Sequence, residues 1–416
     1  MSSRSRVLYV QHAGLPGGSA TSLLITLKAL DRQRFDPVVA VRSDALRVIR
    51  LYEADGFSVI RYTDIGFWNH TTGGHTHAFD QRCWRDCGRA AMNWAKNGRA
   101  ILDLVDRVKP DLVHLNSVVL VSSAAALQRA GVPYVWHVRE HPPSSGLRTR
   151  IIRRFLRVDP ERVVFISAAD RAAWTGAEDS NVLHNYVAED AFQQASRNDA
   201  RDKLSLSQND SVVVYVGGLS KIKGILPLAR ALPAMHRAVP NLKVLMPAST
   251  YQPPNDLSSR IMRSALRFTG AGTVGQRAEV LLSKESLPTI CYRAPFQEQL
   301  QLMYAAADLL VFPATRPHFG RPIIEAAAAG VPAVASSLAG TSELIDHGIT
   351  GVLVSPNDSK ALATAAIELL RNPERMRQMG QMARTNARLK FSAATAVDSL
   401  MVLYDQVRRS VVHRAV

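Results

Sequence analysis

Two stretches with the same order of features decide the fold. Residues 211–225 read SVVVYVGGLSKIKGI, in which a β-rich apolar run is followed by a glycine loop and by a helical pattern that begins at Ile225. Residues 6–20 read RVLYVQHAGLPGGSA and repeat that order near the start of the chain. A strand, a glycine loop and a helix in this order are typical of the start of a doubly wound α/β domain. The two stretches therefore predict two such domains.

Short apolar runs alternate with helical patterns through the rest of the chain, which predicts parallel sheets covered by helices. The predicted strands cover residues 6–11, 111–116, 133–137, 163–167, 211–216, 242–247 and 309–312. The predicted helices cover residues 20–30, a segment that begins at residue 225, and residues 393–409.

Two segments lack a clear pattern. Residues 188–210 are polar and are predicted as a linker, and residues 251–287 are predicted as an insertion with helical pieces. We therefore expect an α/β protein with one Rossmann-like domain over residues 1–190 and a second over residues 191–392. The last segment, residues 393–416, is expected to form a helix that returns to the first domain.

The composition is that of a globular protein with an excess of positive charge. Apolar residues make up 47% and charged residues 21% of the 416 residues, and 51 lysines and arginines against 35 acids give a net charge of +16. This charge favours nucleic acid, a membrane surface or an anionic small substrate as partner. Nucleic acid is not expected, because the basic residues are widely spread and no helix-turn-helix, RRM or finger pattern is found.

The N-terminus and the cysteines favour a cytoplasmic location. Only the apolar residues 7–10 follow Arg4 and Arg6, which is shorter than the core of a secretory signal. The sequence contains no run of about 18 apolar residues that could span a bilayer. Its three cysteines are too few for a disulfide framework.

Residues 12–19 connect the first predicted strand to the first predicted helix and contain Gly14, Gly17 and Gly18. Free N–H groups and the helix dipole at such a position favour a phosphate, and Gly17 and Gly18 would let the backbone approach it closely. The loop matches neither the G-x-G-x-x-G nor the G-K-[ST] pattern. A plain strand–helix turn that needs glycine is the alternative interpretation.

Residues 217–224 form the corresponding loop of the second domain and carry Lys221 and Lys223 between glycines. A lysine in a glycine-flanked loop at a helix N-terminus can pair with a phosphate as a mobile charge. A solvated surface lysine is the alternative for either residue.

Residues 312–325, FPATRPHFGRPIIE, form the most specific local motif. Pro322 suits the first turn of a helix, and Gly330 with Pro332 would end that helix. Glu325 is then expected in the first turn, where the helix dipole favours a carboxylate. There it can accept hydrogen bonds from a ribose diol, or it can cap its own helix.

Together these motifs resemble those of the group 1 retaining glycosyltransferases with the GT-B fold (glycosyltransferase family 4). That family has a double-glycine loop, a G-R-L-x-x-x-K-G loop, E-x-F-G-x-P-x-x-E, G-G-x-x-E and T-G-x-L-V-x-P. The matching residues here are Gly17, Gly18, Lys223, Gly224, Phe319, Gly320, Pro322, Glu325, Gly340, Glu343 and residues 350–356. The resemblance implies two Rossmann-like domains facing a central cleft. It also implies transfer of a sugar from a nucleoside diphosphate to an acceptor hydroxyl, with retention, in polysaccharide, glycolipid or other glycoconjugate synthesis.

The resemblance also implies roles for individual residues. Gly17, Gly18 and Lys223 would hold the donor diphosphate, and Glu325 would bind the donor ribose. The donor site would further include His318, Phe319, Gly320, Arg321, and the loop of residues 338–342 with Gly340 and Thr341. His137 stands where the family has a histidine beside the reacting sugar, so His137 and Lys223 are the predicted catalytic residues; a structural histidine is the alternative.

The resemblance implies a nucleoside diphosphate sugar as co-substrate and no essential metal or other cofactor. The implied acceptor is a sugar, a lipid-linked molecule or another hydroxyl compound.

Two positions depart from the family pattern: Pro317 replaces the first glutamate of E-x7-E, and Gly218 replaces the arginine of G-R-L. Arg316, His318 and Arg321 flank the same loop and are the expected substitutes. A GT-B sugar-nucleotide epimerase and a catalytically silent glycosyltransferase-like subunit stay open as alternatives.

A segment rich in histidine and cysteine invites a zinc interpretation. It contains His75, His77, Cys83 and Cys87, with the two cysteines one helical turn apart. The spacing matches no standard zinc module, so no metal site is expected.

Residues 146–158, GLRTRIIRRFLRV, contain five arginines and no acid. On a helix, Leu147, Ile151, Phe155 and Val158 would share one face, with the arginines opposite. This layout is typical of an interfacial helix on an anionic membrane, which would place the protein on the inner face of the membrane. A surface helix that packs on the domain core is the alternative.

Overall fold

The computed structural model describes residues 4–68, 88–89, 91–142, 147–174, 176–192, 196–247, 274–283, 287–294 and 300–414. The chain divides into two compact units, Met1–Tyr186 with Ala393–Val416, and Val187–Ser392. Residues 187–190, assigned to the first domain by the sequence, therefore belong to the second unit. The reason is local, because the Val187 N–H donates to the Phe391 carbonyl at 3.0 Å.

The described residues of the first unit contain a seven-stranded parallel sheet with the order β3-β2-β1-β4-β5-β6-β7. The strands are β1 (Ser5–Gln11), β2 (Phe35–Arg42), β3 (Ser58–Tyr62), β4 (Leu112–Leu115), β5 (Tyr134–Val138), β6 (Val163–Phe165) and β7 (Asn181–Val182). The helices described before residue 187 include α1 (Gly18–Ala29), α2 (Leu46–Glu53), α3 (Trp94–Val108), α4 (Val121–Arg129), α5 (Leu147–Leu156) and α6 (Ala168–Ala173). Short 3₁₀ turns cover Val118–Leu120 and Pro160–Arg162.

The basic helix α5 packs its apolar side on the core of the first unit. Ile152 and Leu156 are fully buried, and Ile151 and Phe155 pack partly buried against the same core. Val158, predicted on the apolar face, follows the helix and is 55% exposed. The face that the core of the unit covers therefore shares Ile151 and Phe155 with the predicted face but is shifted to include Ile152 and Leu156. The exposed arginines of this segment include Arg150, Arg154 and Arg157.

The described residues of the second unit contain a six-stranded parallel sheet with the order β10-β9-β8-β11-β12-β13. The strands are β8 (Ser211–Val214), β9 (Leu242–Pro247), β10 (Cys291–Ala294), β11 (Leu309–Phe312), β12 (Ala333–Ser336) and β13 (Gly351–Val354). The helices are α7 (Arg197–Lys203), α8 (Ile225–Ala238), α9 (Val274–Leu282), α10 (Leu287–Ile290), α11 (Leu300–Ala306), α12 (Arg321–Ala329), α13 (Ser359–Leu370) and α14 (Pro373–Lys390). A 3₁₀ turn covers Glu189–Phe192.

The polar stretch 188–210 is part of the second unit and not a linker. Helix α7 begins after Ser196, whose side chain accepts the Asp199 N–H. Arg201 of this helix is fully buried and lies 2.8 Å from an Asp308 carboxylate oxygen. Its guanidinium also donates to the carbonyl oxygens of Ser207, Gln208, Asp210 and Ala306. A buried charge that is paired and fully hydrogen-bonded ties the stretch to the domain.

The last helix, α15 (Ala393–Arg414), belongs to the first unit. Its Val397, Leu400 and Tyr404 are buried in the same cluster as Val7 and Tyr9 of β1. The Tyr404 hydroxyl also donates to the Tyr9 hydroxyl at 3.2 Å. The end of the chain therefore covers one face of the first sheet.

Some predictions fall outside the described residues. Within the predicted insertion 251–287, the structure describes residues 274–283 and 287, of which 274–282 form α9. His75, His77, Cys83 and Cys87 all lie outside the described ranges. Among the residues that are described, no three or more histidine, cysteine or acidic side chains are grouped so as to hold a metal ion. No described helix combines the length and the apolar character needed to cross a bilayer.

Candidate functional site

Three loops meet at one edge of the second sheet. They follow β8, β11 and β12, which are parallel neighbours, so their carboxyl ends lie side by side. Thr315 joins the first two loops, because its N–H donates to Ile222 O at 2.8 Å and its hydroxyl to Lys221 O at 3.0 Å. The third loop packs against the second, since a Cβ at Gly340 would lie 2.9 Å from the His318 carbonyl oxygen.

Gly224 lets the first loop press against the second. Its φ is +82°, and an added Cβ would lie 1.7 Å from the Pro313 carbonyl oxygen. A side chain cannot occupy that position without a backbone shift. Gly224 is also the N-cap of α8, so this contact fixes the backbone directly after Lys223.

Lys223 reaches across to the second loop. Its Nζ lies 2.9 Å from His318 Nε2 and 5.6 Å from the centroid of the Phe312 ring. His318 Nδ1 lies 2.9 Å from the Arg316 carbonyl oxygen, which can only accept, so Nδ1 carries the proton. Nε2 therefore accepts from the Lys223 ammonium, and this contact requires a neutral imidazole.

Burial lowers the pKa of Lys223 to about 8, and the nearby Glu325 carboxylate acts in the opposite direction. The lysine is therefore charged at neutral pH but loses its proton more easily than a surface lysine. An anion placed beside Nζ would favour the charged form. The loop therefore holds a cation suited to a phosphate group.

Glu325 is almost fully buried, and both of its oxygens are engaged. Oε2 accepts from the Tyr304 hydroxyl at 2.9 Å, and Oε1 accepts from Arg321 Nε at 2.6 Å. Helix α12 begins at Arg321, so Glu325 lies beyond the first turn and pairs with a residue one turn earlier. The predictions that Glu325 lies in the first turn or caps the helix are therefore wrong.

The remaining predicted donor residues of this unit differ in their surroundings. Phe319 is 7% exposed, and its ring belongs to the same loop as His318. A Cβ at Gly320 would lie 2.7 Å from Ile323 Cδ1, so the start of α12 is tightly packed. Gly340, with φ +88°, is needed for the close approach of the third loop.

Thr341 serves its own turn. Its fully buried Oγ1 lies 2.6 Å from the Ser336 carbonyl oxygen and accepts the Leu338 N–H at 3.0 Å. The N–H groups of Thr341 and Ser342 both donate to Leu338 O at 3.0 Å. The resemblance implies that the loop 338–342 supplies N–H groups to the donor phosphates, and in this structure these two N–H groups close the turn.

The expected substitutes for the two departures behave differently. His318 bonds to Lys223, and Arg321 bonds to Glu325, so both stand within the cluster. Arg316 is exposed and contributes its carbonyl oxygen to His318. Gly218 has φ +56°, with nothing within 4 Å of an added Cβ. Tyr304 was not identified from the sequence, because it lies 21 residues before Glu325 and no local pattern marks it.

In the first unit, the exposed Gly17 is the N-cap of α1 and the exposed Gly18 is its first residue. Gly17 has an extended backbone with φ −163°, which any residue adopts. An added Cβ at Gly18 would meet nothing within 4 Å, and one at Gly17 would be 3.9 Å from the nearest atom. Among the described residues, neither conformation nor packing requires glycine here, which favours the phosphate interpretation over a turn that needs glycine.

His137 lies inside β5 and is 1% exposed. Burial holds the pKa of its imidazole well below the usual value, so the ring is neutral. Its Nδ1 lies 3.3 Å from Arg139 Nη2, and Nε2 has no hydrogen-bond partner among the described residues. Arg139 in turn donates to Asn116 Oδ1 at 2.6 Å and to Asn185 Oδ1 at 2.8 Å. Sequence reasoning did not identify Arg139 as a functional candidate.

Residues 196–386 match the family model described as Glycosyl transferases group 1. The chain is 27% identical over 277 residues to alpha-maltose-1-phosphate synthase of Mycolicibacterium smegmatis, covering 64% of this chain and 62% of that protein. It is 29% identical over 225 residues to D-inositol 3-phosphate glycosyltransferase of Thermobispora bispora, covering 54% of this chain and 50% of that protein. The chain thus spans about half to three fifths of the length of these relatives.

Two solved structures are similar over nearly the whole chain. The structure of HepE from Anabaena in complex with UDP has a TM-score of 0.72 at 21% identity, covering 96% of this chain and 100% of that one. Sucrose-phosphate synthase from Thermosynechococcus elongatus has a TM-score of 0.71 at 18% identity, covering 98% of this chain and 100% of that one. The predicted α/β fold of the GT-B class is confirmed. On that fold, residues 196–386 are the segment that matches the group 1 glycosyltransferase model.

Proposed function

We propose that the protein is a retaining glycosyltransferase of family 4 that moves a sugar from a nucleoside diphosphate to an acceptor hydroxyl. One observation carries this proposal. Lys223, His318 and Glu325 converge where three loops meet, inside the segment that matches the group 1 glycosyltransferases. A cation with a lowered pKa beside a buried carboxylate provides groups for both a diphosphate and a ribose.

Lys223 is the proposed partner of the donor diphosphate. When the bond between the sugar and the diphosphate breaks, negative charge grows on the leaving phosphate oxygen, and a fixed ammonium group stabilises it. His318 positions that ammonium through its Nε2 lone pair. Because Lys223 is already held in place, little reorganisation is needed during the reaction.

Glu325 is the proposed partner of the donor ribose. Each carboxylate oxygen offers about two acceptor positions, and Tyr304 and Arg321 use one on each oxygen. The second position on each oxygen suits the two hydroxyls of a ribose diol. Tyr304 and Arg321 thus orient the carboxylate without exhausting it.

The first unit is proposed to bind the acceptor, and the donor-binding roles of Gly17 and Gly18 stay predictions. The catalytic role of His137 stays a prediction. Its burial in β5 favours an indirect role, in which it positions the guanidinium of Arg139.

The comparisons suggest the first substrates to test. Solved structures of HepE contain UDP and UDP-glucose, and the relatives named above are an alpha-maltose-1-phosphate synthase and a D-inositol 3-phosphate glycosyltransferase. We therefore propose a UDP-sugar donor and a sugar, lipid-linked or other hydroxyl acceptor, with no metal required. A role in polysaccharide or glycolipid synthesis, at the cytoplasmic face of a membrane, stays a prediction.

A screen of nucleoside diphosphate sugars tests the proposal. We expect at least one of them to raise the melting temperature of the protein, and the same sugar to be transferred with retention when acceptors are added. Donor turnover to an epimer without an acceptor would instead support the epimerase. If no nucleotide stabilises the protein, the silent-subunit alternative replaces the enzyme.

The affinity for UDP is expected to fall as the pH rises above about 8. The pKa of Lys223 in the free protein is about 8, so above that pH binding must first return a proton to the amine. The dissociation constant should therefore rise by up to about tenfold per pH unit above 8. Titration calorimetry in two buffers of different ionisation enthalpy measures both the affinity and the proton uptake. Equal affinity and no proton uptake between pH 7 and pH 9 would contradict the role of Lys223.

A further inference from the structure

A pocket of about 460 Å³ lies in the first unit, and its lining contains none of the motif residues described above. It opens at the carboxyl ends of β2 and β3, where Arg42 and Tyr62 end their strands. Its lining also includes Phe67, Arg89 and Asn97 of α3. In parallel α/β sheets, this edge is where ligands bind.

The pocket is lined by two arginines and one acid. Arg42 donates through Nε to Asp44 at 2.9 Å and through Nη2 to the other oxygen of that carboxylate. Its guanidinium also lies 5.2 Å from the centroid of the Phe67 ring. These contacts fix the plane of Arg42, and its Nη1 has no hydrogen-bond partner among the described residues. Arg89 adds a second positive charge, so the lining is cationic overall.

Asn97 gives an independent sign of a ligand. It is 2% exposed, and its Oδ1 accepts the Gly66 N–H at 3.1 Å. Its Nδ2 has no hydrogen-bond partner among the described residues. A buried amide N–H group without a hydrogen-bond partner destabilises the folded state. The Asn97 side chain at the wall of this pocket therefore indicates that a ligand supplies the missing hydrogen-bond acceptor.

The pocket adjoins the first glycine loop. The ring of Phe67 lies 6.1 Å from the ring of His12, the residue that begins the loop 12–19. A molecule in the pocket would therefore lie near the start of that loop.

We propose that this pocket binds an anionic group of the acceptor, so that the acceptor is a phosphorylated or carboxylated sugar. The inference rests on the proposed function and names the substrate class of that reaction. Planar guanidinium groups bind phosphate and carboxylate oxygens at two points, which a neutral hydroxyl cannot match. The volume exceeds that of a simple anion and leaves room for a sugar ring beside the aromatic and amide groups.

Binding of four probes to the full chain tests the proposal: glucose 6-phosphate, glucuronic acid, glucose and inorganic phosphate. We expect both acidic sugars to bind at least about tenfold more tightly than glucose, since each charge-assisted contact contributes at that level.

The variants Arg42→Gln and Arg89→Gln should each remove most of this preference. Arg42→Gln is tolerable for the fold because its partner Asp44 is 67% exposed. Arg50→Gln, an exposed arginine of α2 outside the pocket lining, is the matched control and should leave the preference intact.

Binding of UDP to the same preparations separates the two proposals. If UDP binds but acidic sugars show no preference over glucose, the substrate class is wrong and the proposed function stands. If acidic sugars bind through Arg42 and Arg89 but no nucleotide binds, the proposed transferase is wrong and the pocket is a sugar-acid site of another kind. Inorganic phosphate that binds as tightly as glucose 6-phosphate would also overturn the assignment to an acceptor sugar.

Discussion

Replacing Lys223 with methionine is expected to weaken UDP binding about a hundredfold, while the fold is retained. Removing one partner of a buried charge pair across a binding site typically costs about 2–5 kcal/mol, and 2.7 kcal/mol corresponds to about a hundredfold. Methionine keeps an unbranched side chain of similar size and removes the ammonium group with its contacts to His318 Nε2 and the Phe312 ring. Glu325 does not become an unpaired buried charge, because Arg321 and Tyr304 still bond to it.

Lys221→Met is the matched control for this variant. Lys221 belongs to the same loop and carries the same charge, but its side chain is exposed. If the general positive charge of the loop attracts the nucleotide, both variants should weaken binding to a similar small extent. If the geometry described above is correct, only Lys223→Met shows the large loss in a titration with UDP. Equal and small effects would remove Lys223 from the proposed donor site.

The motif residues could be predicted because their signal is local. A β-rich run before a glycine loop marks the carboxyl end of a strand, and a lysine between glycines marks a helix start. Lys223 and His318 were therefore found separately, each from its own loop. That they touch depends on the order of strands in the sheet, in which β8 and β11 are neighbours although far apart in the chain. The order of strands in the sheet cannot be predicted from the pattern of a single sequence.

The wrong predictions share a physical cause, which is that the partner of a residue lies far away in sequence. The stretch 188–210 resembles a linker because it is polar. Its Arg201 is nevertheless buried and donates a hydrogen bond to Asp308, which lies more than a hundred residues later in the chain. The apolar face of α5 was also predicted in part wrongly, because the core of the first unit covers Ile152 and Leu156 together with Ile151 and Phe155, whereas association of this helix with a membrane stays a prediction. Pattern alone identifies the apolar side of a helix and not what covers it.

Glu325 illustrates a smaller error with a functional consequence. Pro322 suggested the first turn, but the helix begins one residue earlier, and Glu325 falls at the spacing that allows an ion pair with Arg321. Its carboxylate is therefore oriented by side chains and not by the helix dipole. The orientation further depends on Tyr304 of α11, which only the folded structure brings near.

Gly224→Ala is expected to destabilise the second unit by about 3–5 kcal/mol and to abolish nucleotide binding. A non-glycine residue with φ near +80° costs roughly 1–2 kcal/mol, and forcing a methyl group against the Pro313 carbonyl, 1.7 Å away, adds a backbone shift of comparable or larger cost. That shift moves Lys223 away from His318, so nucleotide binding is lost together with stability.

Gly218→Ala is the matched control in the same loop, because its φ is also positive, at +56°, but its Cβ would meet nothing within 4 Å. It should cost only about 1 kcal/mol. Scanning calorimetry of the full chain, with and without UDP, measures both effects. If the two alanines destabilise equally, the loop is not pressed against Pro313, and the contact that fixes Lys223 is absent in solution.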